Sequence, residues 1–85
     1  MELPYKYRVN FAMRLEDGTI ESASSTGDDL KELMREQLKK VIKGNVYSLD
    51  VREMFIAHDG SLCSRRFLDV KGLREMEKEI LNERA

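Results

Sequence analysis

The chain has 85 residues, 41% hydrophobic and 36% charged, and its 15 basic and 16 acidic residues leave a net charge of −1. That length makes one domain, residues 1–85, which buries only ~60–65% of its unfolded surface and has little material for an enclosed active site. The near-neutral balance argues against binding driven mainly by phosphate neutralisation, and the single cysteine rules out an intramolecular disulfide and fits a reducing compartment.

No stretch approaches the ~20 apolar residues of a membrane span, and residues 1–6 lack the basic segment and apolar run of a signal peptide. A soluble, cytoplasmic protein is expected.

From Tyr5 to Leu15 the chain alternates. Tyr5, Tyr7, Val9, Phe11, Met13 and Leu15 fall on one side, and Lys6, Arg8, Asn10, Ala12 and Arg14 on the other. Period two over eleven residues marks a half-buried strand. Asp17-Gly18 suits a two-residue type I′ turn, which opposes Leu15 to Ile20 on the core side and Arg14 to Glu21 on the other. The return strand, Thr19 to about Ser24, is short and serine-rich, as edge strands tolerate. A helix follows, opened by Thr26 with Asp28 and Asp29 at its positive end. Its apolar stripe is Leu30, Leu33, Met34, Leu38, Val41 and Ile42, and Gly44-Asn45 ends it.

The second half repeats the plan. Tyr47, Leu49, Val51, Phe55 and Ala57 alternate, interrupted by Glu53, and Asp59-Gly60 makes the second turn. A two-residue loop opposes Glu53 to Arg66, which gives the one core-side carboxylate a partner. A three-residue loop with Gly60 at a bulge is the rival and breaks that pair. The last helix starts near Val70 with Asp69 as its cap and carries Val70, Leu73, Met76, Ile80 and Leu81 as its stripe. Gly72 weakens its first turn. The expected fold is α+β: two ββα units, residues 5–44 and 46–84, form a four-stranded antiparallel sheet with two helices packed on one face. Strand order 2-1-3-4 keeps neighbours antiparallel but is not forced by the sequence, and a homodimer continuing the sheet across an edge stays open.

The uncovered sheet face is where a partner would bind. The two-residue register brings Met54, Ile56, Cys63 and Phe67 together there as an apolar patch, with Arg8, Arg14, Arg52 and Arg65 around it. Aromatics, Met and Arg are the residues enriched at interfaces. Burial of the patch by the second helix or a swapped segment is the plainer reading. The candidate contacts are Arg52, Met54, Ile56, Arg65 and Phe67, with Arg8 and Arg14 outlying. RNA-binding sheets also combine basic residues with stacking aromatics, but Phe67 is the single aromatic assigned to this face. His58 and Cys63 lie diagonally in this register, without an orienting third group or a pocket. No ligand set has metal spacing, no glycine motif matches a nucleotide loop, and no cofactor is expected. The glutamates along both helices read as solvation.

The function expected from the sequence is therefore a small non-enzymatic protein-interaction module. It would act as an adaptor, regulator or inhibitor of the kind common among phage and mobile-element products. Its partner is another protein, with RNA or single-stranded nucleic acid as the alternative, and no membrane is involved.

Overall fold

Alternation in the first strand and 3.6-residue periodicity in the helices both carry through into a computed structural model, which describes residues 2–41 and 46–83. The elements run β1 (Tyr7–Arg14), β2 (Ile20–Gly27), α1 (Leu30–Leu38), β3 (Val46–Ile56), β4 (Leu62–Arg66) and α2 (Val70–Glu83). The strands form one open antiparallel sheet in the order β2-β1-β3-β4. With two helices beside it, the chain is α+β.

Odd-numbered strand residues face the core. Val9, Phe11 and Met13 of β1 and Val51 of β3 are buried in one cluster with Leu30, Leu33, Met34 and Leu38 of α1 and Ile80 of α2. Tyr47 stacks on Phe11, ring centroids 6.0 Å apart. Its hydroxyl is pushed above its ordinary value by burial first, and then by the Glu77 carboxylate of α2 to which it donates. Lys31 reaches Glu79 at 2.9 Å and Arg35 reaches Glu83 at 3.1 Å, linking the two helices.

Both turns differ from the two-residue expectation. Leu15 and Thr19 close the first loop through Leu15 N–H to Thr19 O at 2.9 Å, and the Gly18 amide bonds Leu15 O at 3.0 Å. Ala57, Gly60 and Ser61 repeat this geometry at 2.9 Å for both bonds. Each loop thus has three residues, with the glycine alone at positive φ: 87° at Gly18 and 85° at Gly60. A type I′ turn would need Asp17 and Asp59 at positive φ as well, and no non-glycine described residue adopts it. The aspartates instead fold over the turn. Asp17 accepts from the Thr19 amide and hydroxyl, and Asp59 from those of Ser61.

Further differences concern α1. Thr26 belongs to β2, which is longer than expected, and Asp29 caps the helix by accepting from Glu32 N–H. The helix ends at Leu38, because the Lys40 and Val41 amides bond carbonyls three residues back and tighten the chain out of the α ladder. Ile42 and the expected Gly44-Asn45 stop lie outside the described residues. Gln37 joins the buried side at 4% exposure, its amide nitrogen 3.0 Å from Ser25 Oγ and its oxygen unpaired among the described residues.

At the start of α2, Asp69 accepts from Gly72 N–H at 2.9 Å. Its carboxylate lies where a Cβ on residue 72 would sit, so the glycine makes room for the cap rather than merely weakening the turn.

Two predictions follow from these local devices. Asp69→Ala should destabilise the fold by ~1 kcal/mol. Gly72→Ala should gain its helix propensity, ~1 kcal/mol, only when Asp69 is already alanine, so a thermal double-mutant cycle should be non-additive. For the turns, Thr19 and Ser61 hold the Asp17 and Asp59 carboxyls below their ordinary value of 3.8. A depressed folded-state value means the turn contribution is present above the ordinary carboxylate range and lost as pH falls through the lower one. Acidification should therefore release the Thr19 and Ser61 amide resonances together below about pH 4, and Asp→Asn variants should abolish that step.

Candidate functional site

Each hairpin register decides which side chains share the even-numbered face, opposite the core cluster. Directly opposed residues of antiparallel strands point the same way, so the face is a set of rows across the sheet. One row is Ile20, Arg14 and Val46; the next is Ser22, Ala12 and Ser48; the third is Ser24, Asn10 and Asp50; the fourth is Thr26, Arg8, Arg52 and Arg66. Adjacent rows are two residues apart, ~7 Å, so the first and fourth are ~20 Å apart.

The rows differ in chemistry. Ile20 and Val46 flank Arg14 and are 66% and 71% exposed. The two middle rows are small and polar and floor a shallow depression of about 440 Å³ lined by Asn10, Ala12, Ser22, Ser24, Ser48 and Asp50. Asn10 donates to Asp50 at 3.3 Å.

The fourth row sets three arginines opposite one another on neighbouring strands, Arg8 beside Arg52 and Arg52 beside Arg66 in the backbone register. Like charges directly opposed on a sheet repel. Their partners are neutral. Arg8 Nη2 donates to the Tyr5 hydroxyl at 3.1 Å. Arg52 donates to Ser64 through three contacts of 3.3–3.4 Å. Arg66 is exposed, and its side chain has no partner among the described residues.

The ion-paired glutamates lie elsewhere. Glu21 meets Lys40 at 3.7 Å, Glu53 meets Arg65 at 3.1 Å, and Glu32, Glu79 and Glu83 serve Arg35 and Lys31. Glu21 and Glu53 are odd-numbered, opposite Met13 and Tyr7, so none of these ion pairs reaches the even face.

The sequence-derived candidates divide accordingly. Arg8, Arg14 and Arg52 lie on the even face as expected. Met54 and Ile56 share its parity, but Met54 is only 6% exposed, and Ile56 is half-buried opposite Leu62. Arg65 and Phe67 do not belong there. The three-residue loop moves every β4 side chain to the other side: Phe67 packs against the core, edge-on to Tyr7 at 6.0 Å and 73°. Arg65 lies on the same side, bonded to Glu53 and 5.2 Å over the Phe55 ring. The partner of Glu53 is thus Arg65, not Arg66, and Glu21 faces Met13 rather than Arg14.

Residues missed from sequence are Ile20, Val46, Arg66 and Tyr5. The two-residue register puts Ile20 on the core side, whereas the observed pairing with Arg14 puts it on the even face. Tyr5 lies ahead of β1, outside the alternation, so its hydroxyl reaches Arg8 rather than the core. His58 sits in the turn, and Cys63 opposes Phe55 with its sulfur 3.6 Å from Ser61 Oγ. Among the described residues there is no group of three metal-ligating side chains, and no helix is long and apolar enough to cross a membrane.

Comparison with protein-family models, curated proteins and solved structures returned no match.

If the arginine row is under mutual repulsion, reversing its outer member should relieve it. Arg66→Glu should stabilise the domain by about 0.5 kcal/mol, a rise of roughly 2–4 °C in Tm, and should lessen the stabilisation of the wild type by added salt. Thermal denaturation at two ionic strengths measures both.

Proposed function

We propose that this chain is a small, non-enzymatic, cytoplasmic interaction module that binds another protein through the even-numbered sheet face. In this reading residues 1–85 are a single domain of two ββα units. Both helices lie on the core side, and the opposite face stays free for a partner. Burial of Ile80 with the strand residues of the core, and the bond from Tyr47 to Glu77, support that placement.

The carrying observation is the row of Ile20 and Val46, two large aliphatic side chains exposed on either side of Arg14. They stand in one row on the two strands that flank β1, with Arg14 between them, and exposed apolar groups gathered among polar ones mark an interaction site. Flat small-residue rows beside it let a partner's backbone approach closely. The role that suits such a surface is an adaptor, regulator or inhibitor, which works by occupying its partner.

Nucleic-acid binding is the second reading, and the arginine row is what favours it. The loss of Phe67 to the core side takes away the one stacking platform that the sequence offered this face.

Affinity capture from the native cell with single-site variants tests the proposal. Ile20→Asp and Val46→Asp should keep the wild-type circular dichroism and Tm, because both side chains are exposed, yet retain at most a tenth of the wild-type catch. Glu75→Lys, on the exposed side of α2, should retain all of it. Equal retention by all three variants would show that the face is not the binding surface.

A further inference from the structure

Arg8, Arg52 and Arg66 form a row of cationic residues on neighbouring strands, and none of them is ion-paired among the described residues. Neutral hydroxyls of Tyr5 and Ser64 fix two of the three guanidiniums without neutralising them. This is how a cation is held ready for an external anion: the orientation is settled in advance and the charge remains available. We infer that the row is the docking site for an acidic segment of the partner protein, whose carboxylates it receives as charge-assisted, bidentate pairs. The inference rests on the even face being the binding surface.

Spacing favours a helix. Three strands at ~4.8 Å set the outer arginines ~10 Å apart. Glutamates at i, i+4 and i+7 of a helix span ~10.5 Å along one side, whereas three alternate residues of an extended strand span ~13–14 Å.

The surroundings favour carboxylates over phosphates. Asp50 stands one row from Arg52 on the same face, held by Asn10, and the Asp28 carboxylate lies on the other side of the row, on the Lys6 amide. A nucleic-acid strand carries a charge at every nucleotide and would lay phosphates over these aspartates. A protein segment can place acids on the row and neutral groups beyond it. The aliphatic pair at the far end of the face also has nothing to gain from a phosphodiester backbone.

The test uses the full ¹⁵N-labelled chain and three probes: a helical peptide with Glu at i, i+4 and i+7, its Gln counterpart, and oligouridylate RNA. At low ionic strength the Glu peptide should shift the amide resonances of Arg8, Arg52, Ser64 and Arg66. The Gln peptide should not, and the RNA should bind at least tenfold more weakly than the Glu peptide. Arg52→Gln and, should that variant lose its fold, the exposed Arg66→Gln should each weaken the Glu peptide by about tenfold, the scale expected for losing one charged partner.

Equal binding of the Gln peptide, no binding of the Glu peptide, or preferential binding of RNA would each overturn the assignment. Failure here is separable from failure of the face. If Ile20→Asp and Val46→Asp abolish capture while Arg66→Gln leaves it intact, the face stands and its acidic ligand falls. If none of these variants alters capture, the face falls as well.

Discussion

One glycine at the third position of each hairpin loop decides which side of the sheet every β2 and β4 residue faces. Gly18 and Gly60 take positive φ at little cost because they lack a Cβ. Side chains alternate with period two, so adding one residue to a turn inverts the whole return strand. Ser25 and Ala23 are thereby turned toward the core and Ile20 away from it. In the second hairpin Phe67 is turned toward Tyr7, and Arg66 toward Arg52. The surface chemistry of the face is a consequence of this backbone setting, not of any side chain acting alone. Both loops are held by the same local device, an aspartate accepting from the amide and hydroxyl of the Thr or Ser two residues on.

The same register partitions charge. On the core side Arg65 finds Glu53 directly opposite and rests its guanidinium over Phe55, so a carboxylate interrupting an apolar strand is compensated where it stands. Glu21 meets Lys40 beyond α1. These exposed pairs contribute modestly, as surface ion pairs do, but they use up acidic side chains on one side of the sheet. On the other side Arg8, Arg52 and Arg66 share one row, with the hydroxyls of Tyr5 and Ser64 bonding the first two. Each like-charged cross-strand neighbour costs ~0.2–1 kcal/mol, which is appreciable against the 5–15 kcal/mol that holds a domain together. A fold bears that cost most readily when it serves binding.

Much of the architecture is legible in the sequence, and the reasons are local. Tyr7 to Met13 alternates without exception, and Leu30 to Leu38 keeps one apolar stripe, so β1 and α1 follow from pattern alone, whereas the order β2-β1-β3-β4 is compatible with the pattern but not forced by it. The faces of β2 and β4 do not. β2 offers Ile20 on one parity and Ala23 on the other. β4 and its continuation offer Leu62 and Leu68 against Cys63 and Phe67. With apolar residues on both parities, burial cannot choose between registers, and the Asp-Gly pair fits either loop. The signal that separates them is the residue after each glycine. Thr19 and Ser61 can both hand an amide and a hydroxyl to the preceding aspartate, which fixes that aspartate at negative φ. The site inherited this ambiguity: Arg8, Arg14 and Arg52 sit on strands whose parity is unequivocal, while Arg65, Arg66, Phe67 and Ile20 sit on strands whose parity is not.

Stability and the proposed recognition draw on opposite parities of the same strands, and this limits how each can change. The core parity of β1 and β3 meets helix residues on tight terms: Val9 and Phe11 are essentially inaccessible, as are Met34, Leu38 and Ile80, so a change of one methylene is felt throughout the cluster. The even parity packs against little, apart from Met54, and its rows can be altered with small effect on folding. The apolar row and the arginine row lie ~20 Å apart on separate rungs of the ladder, too far to share partners, so substitutions in one should add to those in the other. The exception is a change in turn length, which in the second hairpin moves Phe67 out and Arg66 in, and in the first moves Ile20 to the core side. Such a change would cost core packing and rearrange the proposed binding face together. Loop length in both hairpins is therefore the most constrained feature of this chain, more so than any single residue on the face it creates.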